Sequence, residues 1–227
     1  MLMKERLLII ACLFCNLILS AQNSLSGNYY SRAGICLRIE QDSFKLIMPN
    51  AARNGYYSEI MAEGKIKVIN ESFIELNSTI IPYMKALESI NITEKEDSAL
   101  NDSIEIKFSI PYQREILKIM VFTDTFKTFE LNYSKNSRSL KIPNDVNAIT
   151  LSIRPEYIMP HNPEGLFYGI LEFNSMEYPI KKNSNLIEIS IPAIDDSFFE
   201  KYYVKGDYAK VSKNAITWKG EGFKKNK

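Results

Sequence analysis

Ser103-Ile104-Glu105-Ile106-Lys107-Phe108-Ser109-Ile110 alternates polar and apolar residues without a break, and its reading decides the fold. A period of two sets Ile104, Ile106, Phe108 and Ile110 on one face of an extended chain and the polar residues on the other, which is how a half-buried strand reads. The same signal recurs downstream at 116–122, 126–133, 139–142, 148–153, 166–173 and 186–191. Turn-forming clusters separate these runs: Thr123-Asp124, 134–137, Pro143-Asn144-Asp145 and 182–185. Seven short strands in about 90 residues, with no helical period, predict an immunoglobulin-like β-sandwich over residues 103–191. The Cys…Trp…Cys signature of antibody domains is absent, so a different β-sandwich satisfies the pattern equally.

Upstream, residues 22–82 predict an antiparallel β-meander. Its strands read at 35–40, 44–48, 56–61, 64–69 and 72–76, with turns at Gln41-Asp42-Ser43, Asn54-Gly55 and Asn70-Glu71. Apolar and polar residues alternate through it, as in a sheet with one wet face. Residues 83–102 read as a connector. One or two helical turns, with Met84 and Leu87 on one side, lead into a polar stretch centred on Thr93-Glu94-Lys95-Glu96-Asp97.

Residues 192–227 contain an echo of the meander. Gly64 to Leu76 and Gly206 to Trp218 share a glycine, a mid-strand Ile or Val, a turn at the same offset, a late Ile and a large apolar end. Both read as one β-hairpin, and the C-terminal copy is expected to pack on the meander. The competing placement is on the sandwich sheet. Lys224-Lys225-Asn226-Lys227 reads as a solvated end. The fold class is therefore all-β: meander, sandwich and C-terminal hairpin.

Residues 1–21 have the layout of a secretory signal peptide. Lys4 and Arg6 precede an apolar run from Leu7 to Leu19, followed by the small Ser20 and Ala21. The run is too short for the ~20 residues of a membrane span. Cleavage after Ala21 leaves 26 basic and 26 acidic residues, hence no net charge and no basic footprint for nucleic acid. Lipidation at Cys12 is the second reading of this segment, opposed by the apolar run that continues past it. The expected location is periplasmic, outer-membrane-associated or secreted.

After cleavage Cys36 is the one cysteine left, so cores rather than disulfides must stabilise the chain. Alternation sets it beside Arg38 and Glu40, opposite Ile35, Leu37 and Ile39. It reads as a small buried hydrophobe, with a reactive or dimer-forming thiol as the other reading.

Candidate chemistry is sparse. His161, the single histidine, sits in the loop Met159-Pro160-His161-Asn162-Pro163-Glu164-Gly165 with no partner nucleophile and no set of metal ligands in sequence. Asp195 and Asp196 are adjacent, so in an extended chain they point to opposite faces rather than toward each other. Glu172 and Glu177 flank a turn and read as solvated. Aromatic residues concentrate near both chain ends. If the ends meet, Tyr29, Tyr57, Tyr203, Tyr208 and Trp218 form a candidate groove for a sugar or apolar ligand. No metal or cofactor is expected.

Gly27-Asn28-Tyr29, the strand pair around Gln41-Asp42-Ser43-Phe44 and the hairpin from Gly64 to Leu76 resemble the plan of small lipocalin-like envelope β-barrels, among them copper-resistance-type outer-membrane lipoproteins. The resemblance covers residues 27–76. It departs at the Cys-rich segment those lipoproteins carry after the first strand, where this chain has only Cys36, and it carries over no functional residue. It implies a barrel. The resulting expectation is an exported, non-enzymatic interaction or ligand-binding accessory whose partner is a protein or glycan of the cell envelope. The alternatives are a carboxylate-based hydrolase of an extracellular polymer and a structural part of a surface assembly.

Overall fold

The computed structural model describes residues 25–49, 55, 58–100, 102–157 and 169–226. The segment read as a signal peptide, with Cys12, and also Tyr57 and His161, lie outside these residues. The described chain is mostly β-strand with very little helix, in agreement with the period-two pattern.

Five strands come first: β1 (Gly27–Tyr30), β2 (Cys36–Glu40), β3 (Ser43–Ile47), β4 (Ile60–Asn70) and β5 (Phe73–Ser78). Each pairs antiparallel with the next. Alternation turns Leu37 and Ile39 of β2, Phe44 and Leu46 of β3, and Ile74 and Leu76 of β5 to a common buried face. Gly64 lets two backbones approach closely. A Cβ there would stand 1.9 Å from the Asn77 carbonyl oxygen, so any side chain would push β5 away.

The chain then leaves this sheet. Helix α1 (Pro82–Glu88) has Pro at its start, where a missing N–H costs nothing. Next come β6 (Asn91–Lys95), β7 (Ser103–Ser109), β8 (Leu117–Thr123), β9 (Thr128–Tyr133), β10 (Ser139–Pro143), β11 (Ala148–Pro155), the two-residue β12 (Phe173–Asn174) and β13 (Tyr178–Pro179), and β14 (Leu186–Ser190). They form two sheets. One has the order β10-β7-β14-β6; in the other β9, β8 and β11 are neighbours, and β12 and β13 share the far edge of β11. Ile104, Ile106 and Phe108 of β7 share one core with Ile119 and Val121 of β8 and Leu151 and Ile153 of β11.

The structure differs from the sequence reading at several points, among them the strand read at 166–173, where only Phe173–Asn174 is strand among the described residues. Asn91–Lys95, read as connector, is an edge strand, since one apolar residue, Ile92, suffices where only one neighbour is needed. The pairing of β14 with β7 is parallel.

A 3₁₀ turn (Phe198–Glu200) leads back to β15 (Lys205–Ser212), β16 (Ala215–Trp218) and β17 (Glu221–Lys225). β15 pairs with β5, and β17 pairs with β1, so the sheet closes. Around the ring the order is β1-β17-β16-β15-β5-β4-β3-β2, with sequence neighbours adjacent throughout. The N-terminal meander is thus five-eighths of an antiparallel up-and-down barrel. The tail supplies three strands rather than a two-strand hairpin, and the sandwich is an insertion between the fifth and sixth barrel strands. Phe44, Trp218 and Phe223 occupy the barrel interior, Phe44 meeting Trp218 edge-on at 6.1 Å. Eight strands enclose a space that side chains of this size fill.

Candidate functional site

The two bodies meet along a buried polar seam. Glu200, on the 3₁₀ turn, is 4 % exposed. Its carboxylate takes an ion pair and a short hydrogen bond from Arg114 Nη1, in the β7–β8 loop. Its other oxygen accepts from the Ser58 backbone N–H at 2.8 Å, on the barrel side. Arg114 Nη2 donates to the Gly55 carbonyl at 2.6 Å. Lys201 Nζ donates to Ser58 Oγ at 2.7 Å and to the Ile60 carbonyl at 3.2 Å. A carboxylate removed from water is tolerable only with such saturation of its lone pairs. Asp196 Oδ1 braces the loop that carries Arg114, accepting from the backbone N–H groups of Gln113 (2.5 Å) and Arg114 (3.1 Å). Beneath the seam, Tyr112, Phe199, Phe198 and Phe173 run as a chain of edge-to-face contacts. Burial, seconded by the Glu115 carboxylate, pushes the Tyr112 hydroxyl far above its usual range.

Beside this seam lies a cleft of about 310 Å³. Ile60 and Glu63 of β4 form part of one wall; Lys85 of α1, Asp195 and Phe198 contribute the other. The side chains of Glu63 and Lys85 make no hydrogen bond or ion pair with a described residue. Asp195 Oδ1 accepts from the Ser197 backbone N–H (2.9 Å) and Oγ (2.8 Å), fixing the turn before Phe198. The adjacent carboxylates Asp195 and Asp196 therefore do different work, one at the rim of the cleft and one in the seam.

A second, more apolar cavity of about 460 Å³ opens between β6 and β12–β13, with Ile92, Leu151 and Met176 among its walls. Glu94 spans the same gap. It accepts a short hydrogen bond from the Tyr178 hydroxyl and a 2.9 Å bond from the Lys181 backbone N–H. Burial and the Glu94 charge push the Tyr178 hydroxyl up to about 12. Burial works to raise the Glu94 carboxyl, but the bonds from Tyr178 and Lys181 outweigh it and hold it below its usual value.

The aromatic residues expected to form a groove are separated by the barrel wall. Trp218 and Tyr29 point inward and are buried, Tyr29 donating to the Leu25 carbonyl at 2.8 Å. Tyr208 is 61 % exposed on the outside, and Tyr203 is half-buried. Tyr57 lies outside the described residues. What does gather at the barrel mouth is a set the sequence reading passed over. Asp207 Oδ2 accepts from Trp218 Nε1 at 3.1 Å and Tyr202 OH at 3.4 Å, and pairs with Lys219 at 3.4 Å. Lys219 Nζ also stands 5.5 Å from the Tyr202 ring centre. Gly206, at φ +67°, sits where the β5–β15 register shifts between Lys205 and Asp207. A residue added at a glycine in the left-handed region is how a strand re-aims its next side chain.

Cys36 is buried on the outer face of β2, opposite Tyr30 and Ile47 in the neighbouring strands, and burial raises its thiol pKa. Glu172 accepts a short hydrogen bond from the buried Ser152 hydroxyl, and Glu177 lines the apolar cavity. Among the described residues no helix is long and apolar enough to cross a membrane, and no three His, Cys, Asp or Glu side chains gather as metal ligands. Comparison with protein-family models, with curated proteins and with solved structures finds no match for this chain.

Proposed function

We propose that the protein is an exported, non-enzymatic binding or interaction accessory of the cell envelope, built as a barrel scaffold carrying a sandwich that makes the contacts. The observation that supports this reading is the insertion itself. The barrel interior is taken up by Phe44, Trp218 and Phe223, so contact surface is left to the cleft and to the sandwich. The Arg114–Glu200 seam holds the inserted body in a set orientation, as a presenting scaffold requires. Export rests on the basic, apolar and small-residue order of residues 1–21, and the partner is a protein or glycan of the envelope.

The purified full chain, mixed with isolated envelope material, is expected to sediment with it and release no soluble fragments. Failure to sediment, together with an intact N-terminus on protein recovered from the cytoplasm, would sink the reading.

A carboxylate-based hydrolase is the second reading. It is favoured by Glu63 and Asp195, which line one cleft from two bodies; such enzymes use two carboxyl groups across a cleft. In the same experiment it would show as release of reducing sugar ends that Glu63→Gln abolishes.

A further inference from the structure

The two flanks of the sandwich are finished differently. On one, a tight turn closed by backbone bonds between Ser134 and Ser137 (2.9 and 3.2 Å) carries β9 of one sheet into β10 of the other. The Tyr133 hydroxyl at its foot bonds both the N–H (3.0 Å) and the carbonyl (2.8 Å) of Ile110, so that flank is shut. On the other flank β6 faces β12 and β13, and among the described residues no bond between backbones joins them.

The β12–β13 edge is itself broken. Asn174 pairs with Ser152 and Tyr178 with Ile149, so Ser175, Met176 and Glu177 stand opposite only Thr150 and Leu151. One residue too many makes a bulge. Ser175 fills the ladder there, its N–H donating to the Leu151 carbonyl and its hydroxyl accepting from the Leu151 N–H, both at 2.9 Å. Met176 is left 75 % exposed. Behind it lies the cavity of about 460 Å³. Leu87, Ile90 and Ile92 line it from the β6 side, half-buried, and Leu151 and Ile189 belong to the core at its floor. Its opening is bounded at both ends. Tyr83 of α1 donates to the Asn174 carbonyl at 2.5 Å, and Tyr178 donates to Glu94.

These features decide what can enter. Glu94 points inward from β6 on the same face as Ile92 and ties the two edges together. A charge turned inward on an edge strand guards against strand addition, so an extended peptide is the wrong occupant. A cavity of roughly 150 Å³ holds benzene, so a volume about three times larger takes an alkyl chain of about a dozen carbons. The rim sets the head group. No Lys or Arg lines the slot, and the charge of Lys181, beyond one end, is met by Glu94. Glu177 and Asn91 stand at the rim, exposed, with side chains that bond no described residue. An anionic head would meet the Glu177 charge. Hydroxyl groups find an acceptor in Glu177 and both a donor and an acceptor in Asn91.

We propose that this open flank is a binding slot for the alkyl chain of a neutral amphiphile with a hydroxyl-bearing head. The site goes beyond the binding reading above and depends on neither export nor an envelope partner, since the sandwich and α1 supply every residue of it.

The test is displacement of the neutral dye N-phenyl-1-naphthylamine from the full chain, followed by dye fluorescence, with each amphiphile kept below its micelle concentration. At a pH where dodecanoate is ionised, 1-dodecanoylglycerol is expected to displace the dye with roughly tenfold higher affinity than dodecanoate. Glu177→Gln removes the charge, keeps an accepting oxygen, and should narrow that ratio about threefold. Ile92→Trp and Leu87→Trp fill the slot from two positions, and each should weaken binding roughly tenfold at an unchanged melting temperature; if one fails to fold, the other decides. Displacement that survives in a folded Trp variant overturns the site. Equal displacement by the two amphiphiles, unmoved by Glu177→Gln, overturns the neutral head group. No dye uptake by the parent chain, or uptake that neither amphiphile competes, overturns the proposal outright while leaving sedimentation on envelope material, and the binding reading, untouched.

Discussion

The barrel and the sandwich are made from the same kind of strand, yet they handle their aromatic residues in opposite ways. The barrel closes on itself and takes Tyr29, Phe44, Trp218 and Phe223 inside, where Trp218 and Asp207 satisfy each other at the mouth. The sandwich has open sheet edges, two short strands sharing one of them, and a loop end that leaves Phe126 in water. Closure removes sheet edges and uses up the inner face. An open pair of sheets keeps rims and loops for other purposes. On the binding reading proposed above, the difference is a division of labour, stability in the ring and recognition in the insertion.

The comparison breaks most plainly at Trp218. Trp218→Ala is expected to cost about 4 kcal/mol, the usual loss for a large core aromatic, and it also strips Asp207 of a donor. Urea unfolding should show it. A loss under about 1 kcal/mol would mean that the barrel interior is not the stabilising core. Next in size is the seam. Glu200→Ala leaves Arg114 half-buried without its carboxylate and is expected to cost about 3 kcal/mol. Its signature is a single unfolding transition separating into two, one for each body. A single transition retained at lower denaturant would show that the two bodies are coupled elsewhere.

A smaller effect sharpens the picture within the sandwich. Glu94 is held below its ordinary value when folded, so its contribution is complete above pH about 4.5 and fades as pH falls further. Tyr178 is raised to about 12, so its contribution is complete below its ordinary value near 10 and fades as pH climbs toward 12. Tyr178→Phe is expected to lower stability near neutrality by about 1.5 kcal/mol, as for a hydrogen bond to a charged acceptor. It should also flatten both limbs of the melting temperature against pH; limbs that remain steep would place the titrating groups elsewhere. Smallest is Phe126→Gly, expected to stabilise by about 1 kcal/mol by relieving a left-handed backbone. A melting temperature that falls instead would show that the ring supports its own loop.

Much of the fold was legible because strand alternation is local. The stretch 103–110 became β7 almost to the residue, and the echo between 64–76 and 206–218 marked two hairpins that lie side by side in one barrel. Strands that stayed hidden carry little apolar signal. β6 offers only Ile92, and β17 only Phe223, among polar neighbours that read as solvated chain. No local pattern spelled closure, which depends on β17 finding β1 nearly two hundred residues away; only the resemblance over residues 27–76 implied a barrel. The site was less legible still. Arg114 and Glu200 are 86 residues apart and neither sits in a motif. Phe126 looked like the start of a strand, since nothing in its spelling says that its backbone turns left-handed.

The insertion has a consequence for the order of events as the chain folds. β5 and β15 must pair across roughly 125 intervening residues, a closure whose entropy for a flexible chain comes to about 4 kcal/mol. Once the sandwich has formed, Asn91 and Ser190 are already side by side, and that long loop shrinks to two short connections. A sandwich that forms first would act as a folding template, leaving the first five strands as an open ribbon until the last strands arrive. A chain exported N-terminus first would expose that ribbon's two unpaired edges for the longest time of any part of the molecule.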